Sequence, residues 1–340
     1  MREQLPRVVR PIAPLASFVY GRLTAVRNWS LDRGWRVNEP PVPVISVGNI
    51  SVGGSGKTPL VMWVVERLRE SGFHPAIAMR GYGSRTNGRS DEEAEYLERL
   101  GADTPIIAQP NRMQGLRTRC AQDSQIDCCV LDDGFQHRMI HRVLDLVTID
   151  ATQDTFNDRR LPMGYLRELP MALARSDGVI VTRAKVFDSA LSAQIESITG
   201  SAPLAWTQHV WEHFIQHEAA GERRCAIEQL HRKRVVTALG VGNPASVRQQ
   251  VLDNGAEIVQ DVPLSDHQVY DANVLSQIQR ACQEADALLV TAKDWVKLQH
   301  VIELDTFPVP ILVPELRIEF LRGSEFLEAR VVETIRSEQA

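Results

Sequence analysis

The chain has 340 residues with a formal net charge of −5 at neutral pH, and 44% of its residues are hydrophobic. This length is typical of a two-domain protein, and the hydrophobic content is sufficient for a packed core in each domain. The slightly acidic balance gives no support for a nucleic-acid partner, and five cysteines without a Cys-x-x-Cys spacing indicate neither a disulfide framework nor a zinc site.

Residues 1–36 form a basic segment with an apolar repeat. The segment contains seven arginines against two acidic residues, Glu3 and Asp32. Its apolar side chains recur at helical spacing, at Ile12, Leu15, Ala16, Val19, Leu23 and Val26. An apolar helix face edged by arginine suits an anionic membrane surface, but the same pattern suits a helix that packs on the core. The residues alone leave both interpretations open.

A glycine-rich turn follows the first predicted strand, Val44–Val47. Its residues are Gly53, Gly54, Ser55, Gly56, Lys57 and Thr58, and a helix is predicted directly after it. Glycines let backbone N–H groups approach phosphate oxygens, the lysine can reach the β- and γ-phosphates, and the threonine hydroxyl can bind Mg²⁺. Ser51 stands where the strict pattern has glycine. The strand before the turn and the helix after it nevertheless predict a P-loop that binds a nucleoside triphosphate.

Segments typical of strands and helices alternate after this turn. The alternation predicts an α/β fold with a doubly wound, mostly parallel sheet. The predicted strands are Pro75–Met79, Pro105–Ala108, Asp127–Leu131, Leu144–Ile149 and Gly178–Val181, and the predicted helices are Asp91–Leu100 and Arg112–Gln122.

The alternation breaks around residues 200–232 and then restarts. Aromatic and polar residues alternate in that stretch, which predicts a β-hairpin linker. Arg234–Leu239 and Ala287–Val290 then have the pattern of strands in a second, smaller α/β unit. The expected organisation is an N-terminal helical region at 1–36, a P-loop domain at 37–204, a hairpin linker at 205–232 and a smaller α/β domain at 233–340.

Two adjacent carboxylates, Asp132 and Asp133, follow the buried apolar run of a predicted strand. This is the Walker B arrangement, in which a carboxylate at a strand end reaches the Mg²⁺ of the nucleotide. One of the two could instead cap the next turn. Gln136 and His137 come next and lie at the mouth of the expected site, although a polar stretch of this kind is also common in solvated loops.

Three further groups could take part in chemistry. Asp91 lies where it could accept a proton from an attacking hydroxyl, but acidic residues also favour helix starts. Asp266 and His267 form a pair that could be catalytic or structural. Arg167 and Glu168 could bind phosphate or metal, or could form a surface ion pair.

Taken in order, these motifs resemble the tetraacyldisaccharide 4′-kinase family, the lipid A kinases. The resemblance covers nearly the whole chain. It rests on the P-loop at 47–59, Arg80-Gly-Tyr-Gly83, Asp91-Glu92, Asp132-Asp-Gly-Phe-Gln-His137, Leu166-Arg-Glu168, Gly240-Val-Gly-Asn-Pro244, Asp266-His-Gln-Val-Tyr270 and Thr291-Ala-Lys-Asp294.

The resemblance implies transfer of the ATP γ-phosphate to the 4′-hydroxyl of an acylated glucosamine disaccharide 1-phosphate lipid, which yields lipid IV-A. It implies ATP and Mg²⁺ as cofactors and two α/β/α domains. It also implies work at the cytoplasmic face of the bacterial inner membrane, where the N-terminal helix contacts an anionic lipid surface.

The resemblance further implies roles for single residues. Asp91 would be the catalytic base and His267 its partner, with Asp103 as a competing candidate for the base because Ser90 replaces the usual glycine and the preceding loop is short. The P-loop residues would hold the nucleotide. The implied metal ligands are Thr58, Asp132, Asp133 and Glu168, and the implied substrate-side residues are Arg80, Gln136, His137 and Arg167.

A second hypothesis is a membrane-associated P-loop ATPase switch of the partition or metal-insertion type. Such a protein would hydrolyse ATP when stimulated by a protein partner and would place no phosphate on lipid. A third is a family member that binds lipid without catalysis, and the intact Lys57, Thr58 and Asp132 argue against it.

Overall fold

The computed structural model describes residues 12–53, 55–81, 85–86, 89–265 and 269–339, and it describes residues 85, 86 and 89–92 by their backbone alone. The chain divides into two compact units. The first comprises the chain up to Arg80, Thr104–Gln208 and the chain from Ile318 onward, and the second comprises Gly81–Asp103 and His209–Arg317.

The predicted strands are present to within two residues at each end, and the two predicted helices begin and end where expected. The strands are β1 (Val44–Asn49), β2 (Pro75–Met79), β3 (Arg85–Thr86), β4 (Arg89–Ser90), β5 (Ile106–Ala108), β6 (Cys128–Asp132), β7 (Leu144–Asp150), β8 (Gly178–Thr182), β9 (Ala205–Glu218), β10 (Gly221–Cys225), β11 (Arg234–Leu239), β12 (Glu257–Pro263), β13 (Ala287–Leu289) and β14 (Ile311–Arg322). The helices are α1 (Ala13–Asp32), α2 (Lys57–Glu70), α3 (Asp91–Leu100), α4 (Arg112–Gln122), α5 (Ser189–Thr199), α6 (Pro244–Asp253), α7 (Ala272–Ala281), α8 (Ala292–Leu298) and α9 (Ser324–Gln339).

The sheet of the first unit has the strand order β9-β8-β7-β1-β6-β2-β5, and all neighbours in it are parallel. Every residue of β1, β2, β6 and β7 is buried, as expected for strands covered on both faces. Met113 and Leu116 of α4 pack in one hydrophobic cluster, and Ile195 of α5 packs in another. The predicted doubly wound, mostly parallel sheet is confirmed. Its parallel strands bring the ends of β1, β6, β7 and β8 to one edge, where ligands bind in such sheets.

The second unit contains a parallel sheet with the order β12-β11-β13-β14. Its core includes Trp295 of α8 and Ile278 of α7. The strands β9 and β10 pair antiparallel, with Gly221 opposite Glu218, which confirms the hairpin expected between residues 205 and 232.

Two segments lie in a different compact unit from the one that the sequence boundaries gave them. Helix α3 belongs to the second unit, because it packs against α8. The C-terminal residues from Ile318 belong to the first unit, where α9 packs against α2 and buries Leu327, Val331 and Ile335. The sequence reasoning had assigned neither β14 nor α9, although both carry a regular apolar pattern.

Helix α1 exposes most of its large apolar residues, and the face that it buries consists of small residues and Leu31. Ala13, Ser17 and Gly21 are buried. At Gly21 a Cβ atom would lie 2.1 Å from the guanidinium of Arg160, so the arginine side chain packs directly over the helix at this glycine. The exposed large residues on this helix and beside it are Ile12, Leu15, Phe18, Val19, Leu23, Val26, Trp29 and Trp35, and Leu15 and Leu23 are each 67% exposed.

The apolar repeat of α1 therefore does not pack on the core. This argues against the interpretation of α1 as a core-packing helix and leaves the interpretation as a surface-binding helix. Such a continuous exposed apolar face is typical of an interaction surface. Of the helices in the described ranges, none combines the length and the hydropathy that a membrane span requires.

Candidate functional site

The P-loop connects the end of β1 to the start of α2. Gly53 and Gly56 have φ angles of 97° and 76°, in the left-handed region that favours glycine, and Gly56 is the residue directly before α2. Gly54 lies outside the described residues. Lys57 and Thr58 form the first turn of α2, where unpaired backbone N–H groups and the helix dipole favour an anion.

Hydrogen bonds from neighbouring strands fix the loop in place. The hydroxyls of Ser55 and Thr148 lie 2.9 Å apart, and Thr182 donates to the backbone oxygen of Ser55 at 2.8 Å. Thr148 lies on β7 and Thr182 ends β8, so the loop is anchored to both strands beyond β1.

The departure of Ser51 from the strict glycine pattern has a structural reason. Ser51 is not among the residues with positive φ, and it pairs as an isolated β-bridge with Leu166. The flanking backbone groups of Val52 and Ile50 bond to Tyr165 and Arg167. A side chain is tolerated at this position because the segment is extended, and the pairing brings the Arg167–Glu168 loop to the P-loop.

The Walker B carboxylates lie beside the strand that leads into the P-loop. Asp132 ends β6 in register with Val47 of β1, and it is 7% exposed. Asp133 has a φ of 51°, a left-handed conformation that aspartate tolerates better than most residues. The guanidinium of the buried Arg112 donates to the backbone oxygens of both aspartates, at 3.0 and 3.2 Å. Arg112 thus fixes the backbone of the turn after β6, a role that no local sequence pattern indicates.

Asp133 joins two cations at the site. Its Oδ1 lies 3.3 Å from Nζ of Lys57, and its Oδ2 accepts from Nη1 of Arg167 at 2.7 Å. Burial would raise the pKa of Asp133, but the charges of Lys57 and Arg167 outweigh it and lower that pKa to about 2. Three of the residues predicted for the site are therefore brought together as one ion-paired group.

Glu168 is 3% exposed and receives several donors. Its Oε1 accepts from Arg175 at 2.8 Å and from Gln136 at 3.1 Å, and its Oε2 accepts from Asn28 of α1 at 2.6 Å. Burial would raise the pKa of Glu168, but Arg175 and the other donors hold it below its ordinary value. Glu168 is thus surrounded by protein donors, an environment typical of a positioning carboxylate, and its predicted role as a metal ligand stays a prediction.

Asn28 and Arg175 belong to this site and were missed in the sequence. Arg175 lies in a short 3₁₀ turn after the Arg167–Glu168 loop, and its guanidinium stacks 3.6 Å from the ring centre of Phe135. Asn28 lies 140 residues before its partner Glu168. No local pattern marks either residue, because the contacts exist only after the loop and α1 have packed.

Gln136 and His137, which follow the Walker B turn, differ in their roles. Gln136 bonds to Glu168 and to the backbone oxygen of Asn49, and its own amide oxygen accepts from Arg167 at 3.2 Å. Burial first, and then nearby arginines that include Arg112, lower the pKa of His137 to about 4. The imidazole is neutral at pH 7 and can act there as a hydrogen-bond donor and acceptor.

The remaining predicted residues do not belong to the ion-paired group of Lys57, Asp133 and Arg167, or they lie outside the residues that the structure describes. Asp91 begins α3 in the second unit, and its side chain is not described. His267 and Asp266 lie outside the described residues. Arg80 is exposed directly after β2, and Asp103 is exposed in a turn after α3. The assignment of the base to Asp91 or Asp103 stays a prediction.

In the second unit, three of the sequence motifs meet at Asp294. This carboxylate is 1% exposed and accepts from the hydroxyl of Tyr270 at 3.0 Å, the hydroxyl of Thr291 at 2.7 Å and the backbone N–H of Gly240 at 3.1 Å. Burial raises the pKa of Asp294. The cluster anchors the chain at Tyr270, three residues after His267.

Thr58 and Asp132 form an oxygen donor set that suits Mg²⁺, which is commonly bound by one or two protein oxygens together with substrate phosphates and water. Within the described part of the chain, no group of three His, Cys, Asp or Glu side chains could hold a metal by itself. The predicted roles of Thr58, Asp132 and Asp133 as metal ligands stay predictions.

The lowered pKa of His137 has a measurable consequence. The imidazole should titrate near pH 4 in the folded protein, against about 6.5 in the unfolded chain, in an NMR titration of the assigned ring resonances. Because the unfolded chain binds the proton first, His137 should remove stability as the pH falls from about 6.5 to about 4. In His137→Asn, the free energy of unfolding measured with urea should depend less on pH between about 6.5 and about 4. A titration midpoint of His137 near pH 6.5 in the folded protein would contradict the burial of this ring among arginines.

Comparisons with known proteins show the family of the chain. The family model for tetraacyldisaccharide-1-P 4′-kinase matches residues 9–336. A tetraacyldisaccharide 4′-kinase of Syntrophus aciditrophicus is 32% identical over 92% of this chain and 90% of its own, and one of Chlorobium luteolum is 29% identical over 94% and 96%. The crystal structure of LpxK from Aquifex aeolicus in complex with ATP matches with a TM-score of 0.70 at 25% identity, over 98% of this chain and 99% of that chain. The resemblance found in the motifs is confirmed, and the chain belongs to the tetraacyldisaccharide-1-P 4′-kinase family.

Proposed function

We propose that the protein transfers the γ-phosphate of ATP to the 4′-hydroxyl of a tetraacylated glucosamine disaccharide 1-phosphate, with lipid IV-A as product. The observation that carries this proposal is the carboxylate of Asp133, which pairs with both the P-loop Lys57 and Arg167 in a chain of this kinase family. Two cations of this group can bind phosphate oxygens. The carboxylate between them keeps both in place.

The protein groups have distinct parts in the proposed transfer. Lys57 and the N–H groups at the start of α2 bind the β- and γ-phosphates, and Arg167 stabilises the negative charge that spreads over the transferred group. Thr58 and Asp132 would hold Mg²⁺, which neutralises phosphate charge when bound. Glu168 orients Gln136, and Gln136 orients Arg167.

Asp91 and His267 are proposed as the groups that accept the proton from the attacking 4′-hydroxyl. The support is their match to the family motifs and the position of Asp91 at the start of α3. Tyr270 and Asp294 would then hold the chain next to His267.

The proposed location is the cytoplasmic face of the bacterial inner membrane, with α1 on an anionic lipid surface. The support is the exposed apolar face of α1, which includes Phe18 and Leu23, and the arginines Arg22 and Arg33 that stack on its aromatic rings. An acylated substrate remains in the bilayer, so a kinase for it has to work at that surface.

The P-loop ATPase switch of the partition or metal-insertion type is not favoured. The full-length family match explains the motifs of the second unit, which that hypothesis leaves without a role. The two hypotheses predict different products, because a kinase forms a phosphorylated lipid and an ATPase switch releases inorganic phosphate only.

Labelled ATP, Mg²⁺ and detergent-dispersed tetraacyldisaccharide 1-phosphate should yield labelled lipid. Lys57→Ala should lower the rate of labelling by about 10²–10³-fold, because it removes a charge that stabilises the transferred phosphoryl group. Lys233→Ala, in a turn of the second unit, is the matched control and should label at the wild-type rate. A folded wild-type protein that binds ATP but labels no lipid would refute the proposed reaction.

Asp91→Asn and His267→Ala should each lower kcat by about 10²–10⁴-fold, the usual contribution of a general base, and should leave the Kd for ATP nearly unchanged. Asp103→Asn is the control that separates the two candidate bases. Wild-type turnover in Asp91→Asn together with a large loss in Asp103→Asn would move the base to Asp103, and wild-type turnover in both would exclude these carboxylates.

The triple change Leu15→Ser, Leu23→Ser and Val26→Ser should weaken co-sedimentation with vesicles that contain phosphatidylglycerol by tenfold or more. Burial of one such side chain contributes about 1.5–3 kcal/mol. The unfolding temperature should stay constant, because these side chains are exposed. Val186→Ser, at a position 72% exposed away from α1, is the control. Unchanged vesicle binding by the triple variant would show that α1 is not the membrane contact.

A further inference from the structure

A continuous line of polar contacts joins the surface helix α1 to the phosphate-binding lysine. Asn28 of α1 donates to Glu168, Gln136 donates to the other oxygen of Glu168, and Arg167 donates to Gln136. Arg167 also pairs with Asp133, and Asp133 pairs with Lys57. No contact in this line is longer than 3.3 Å.

The first contact carries the largest consequence because Glu168 is 3% exposed. A buried carboxylate needs all of its donors, since water cannot replace a lost one. Asn28 supplies a 2.6 Å hydrogen bond to Oε2, while Arg175 and Gln136 bind Oε1. A displacement of Asn28 therefore acts on Glu168, and through Gln136 it acts on the guanidinium of Arg167.

A second polar contact ties α1 to the same segment of chain. Arg138, two residues after Gln136, donates to the backbone oxygen of Asn28 at 3.4 Å and to the carboxylate of Asp32 at 2.5 Å. The last turns of α1 thus contact Arg138 directly and reach Gln136 through Glu168. Elsewhere α1 is attached by Leu31, by small buried residues and by the hydrogen bond from the Ser17 hydroxyl to the backbone oxygen of Arg160, so the contacts of Asn28 and Arg138 are the polar attachment of its C-terminal turns.

The opposite face of α1 is apolar and exposed, and a surface that binds this face will shift the helix toward the position in which it is bound. Contiguous hydrogen-bonded and ion-paired networks of this kind can transmit such a bias between sites. We propose that Asn28 is a positioning residue that couples the seating of α1 on a lipid surface to ATP binding at Lys57. This coupling rests on the proposed function, because it uses the lipid surface and the nucleotide assigned there.

Coupling of this kind is reciprocal, since a surface that tightens ATP binding is itself bound more tightly in the presence of ATP. Couplings between binding sites commonly change affinity by about 5–150-fold. The expected effect is therefore at least a fivefold lower Kd for ATP on vesicles than in their absence.

The test measures the Kd of the full-length protein for ATP with Mg²⁺, with and without vesicles of phosphatidylglycerol and phosphatidylcholine, and with no acceptor lipid present. Wild-type protein should bind ATP at least fivefold more tightly on vesicles. Asn28→Ala should still bind the vesicles but should show the same Kd for ATP with and without them. Asn28→Gln, which keeps the amide, should restore part of the difference.

Thr24→Ala is the matched control one helical turn earlier. The Thr24 hydroxyl bonds to the backbone oxygen of Tyr20 within α1, so this change should keep the full effect of vesicles on the Kd. Should Asn28→Ala unfold at a lower temperature than wild type, Arg138→Gln gives a second break. It removes the contact with Asp32 and should also reduce the effect of vesicles.

An ATP affinity of the wild-type protein that vesicles do not change would overturn the coupling, as would a full vesicle effect in both Asn28→Ala and Arg138→Gln. Neither result touches the kinase proposal, which is decided by labelled lipid in detergent. Conversely, coupling without labelled lipid would leave the role of Asn28 intact and refute the proposed reaction.

Discussion

The ion pair between Lys57 and Asp133, extended by Arg167, is the interaction on which the site depends. The three residues come from the start of α2, the turn after β6 and the loop after β7. Both cations bind the same carboxylate, so the turn after β6 joins the start of α2 to the loop after β7. The left-handed conformation of Asp133 directs its carboxylate to both cations. Arg112 stabilises this turn by donating to the backbone oxygens of Asp132 and Asp133.

The second constraint is the packing of α1. A helix normally buries most of its large apolar residues, but α1 buries only Leu31 among them, beside Ala13, Ser17 and Gly21, and exposes Leu15 and Leu23. Small residues allow close approach to the body of the first unit, where the guanidinium of Arg160 crosses the helix at Gly21. The helix therefore leaves most of its large apolar side chains exposed and is attached in part by polar side chains. Among these, Asn28 bonds to the buried Glu168.

Much of this fold could be predicted because its signals are local. Buried parallel strands are apolar throughout, and the P-loop and Walker B motifs directly follow such strands. The contacts that could not be predicted join distant parts of the chain. Asn28 meets Glu168 across 140 residues, and α3 packs against α8 about 200 residues later, which places it in the second unit. The repeat in α1 showed a helix with an apolar face, but only packing determines which face is buried.

The charge balance of the site explains why its acidic residues need not all be metal ligands. Burial and several arginines, including Arg112 and Arg142, lower the pKa of His137. Burial would raise the pKa of Asp133, but Lys57 and Arg167 lower it. Cations gathered so closely repel one another, and Asp133 and Glu168 offset that repulsion in the folded protein. The two carboxylates therefore act as counterions that hold Lys57, Arg167 and Arg175 in place in the folded protein.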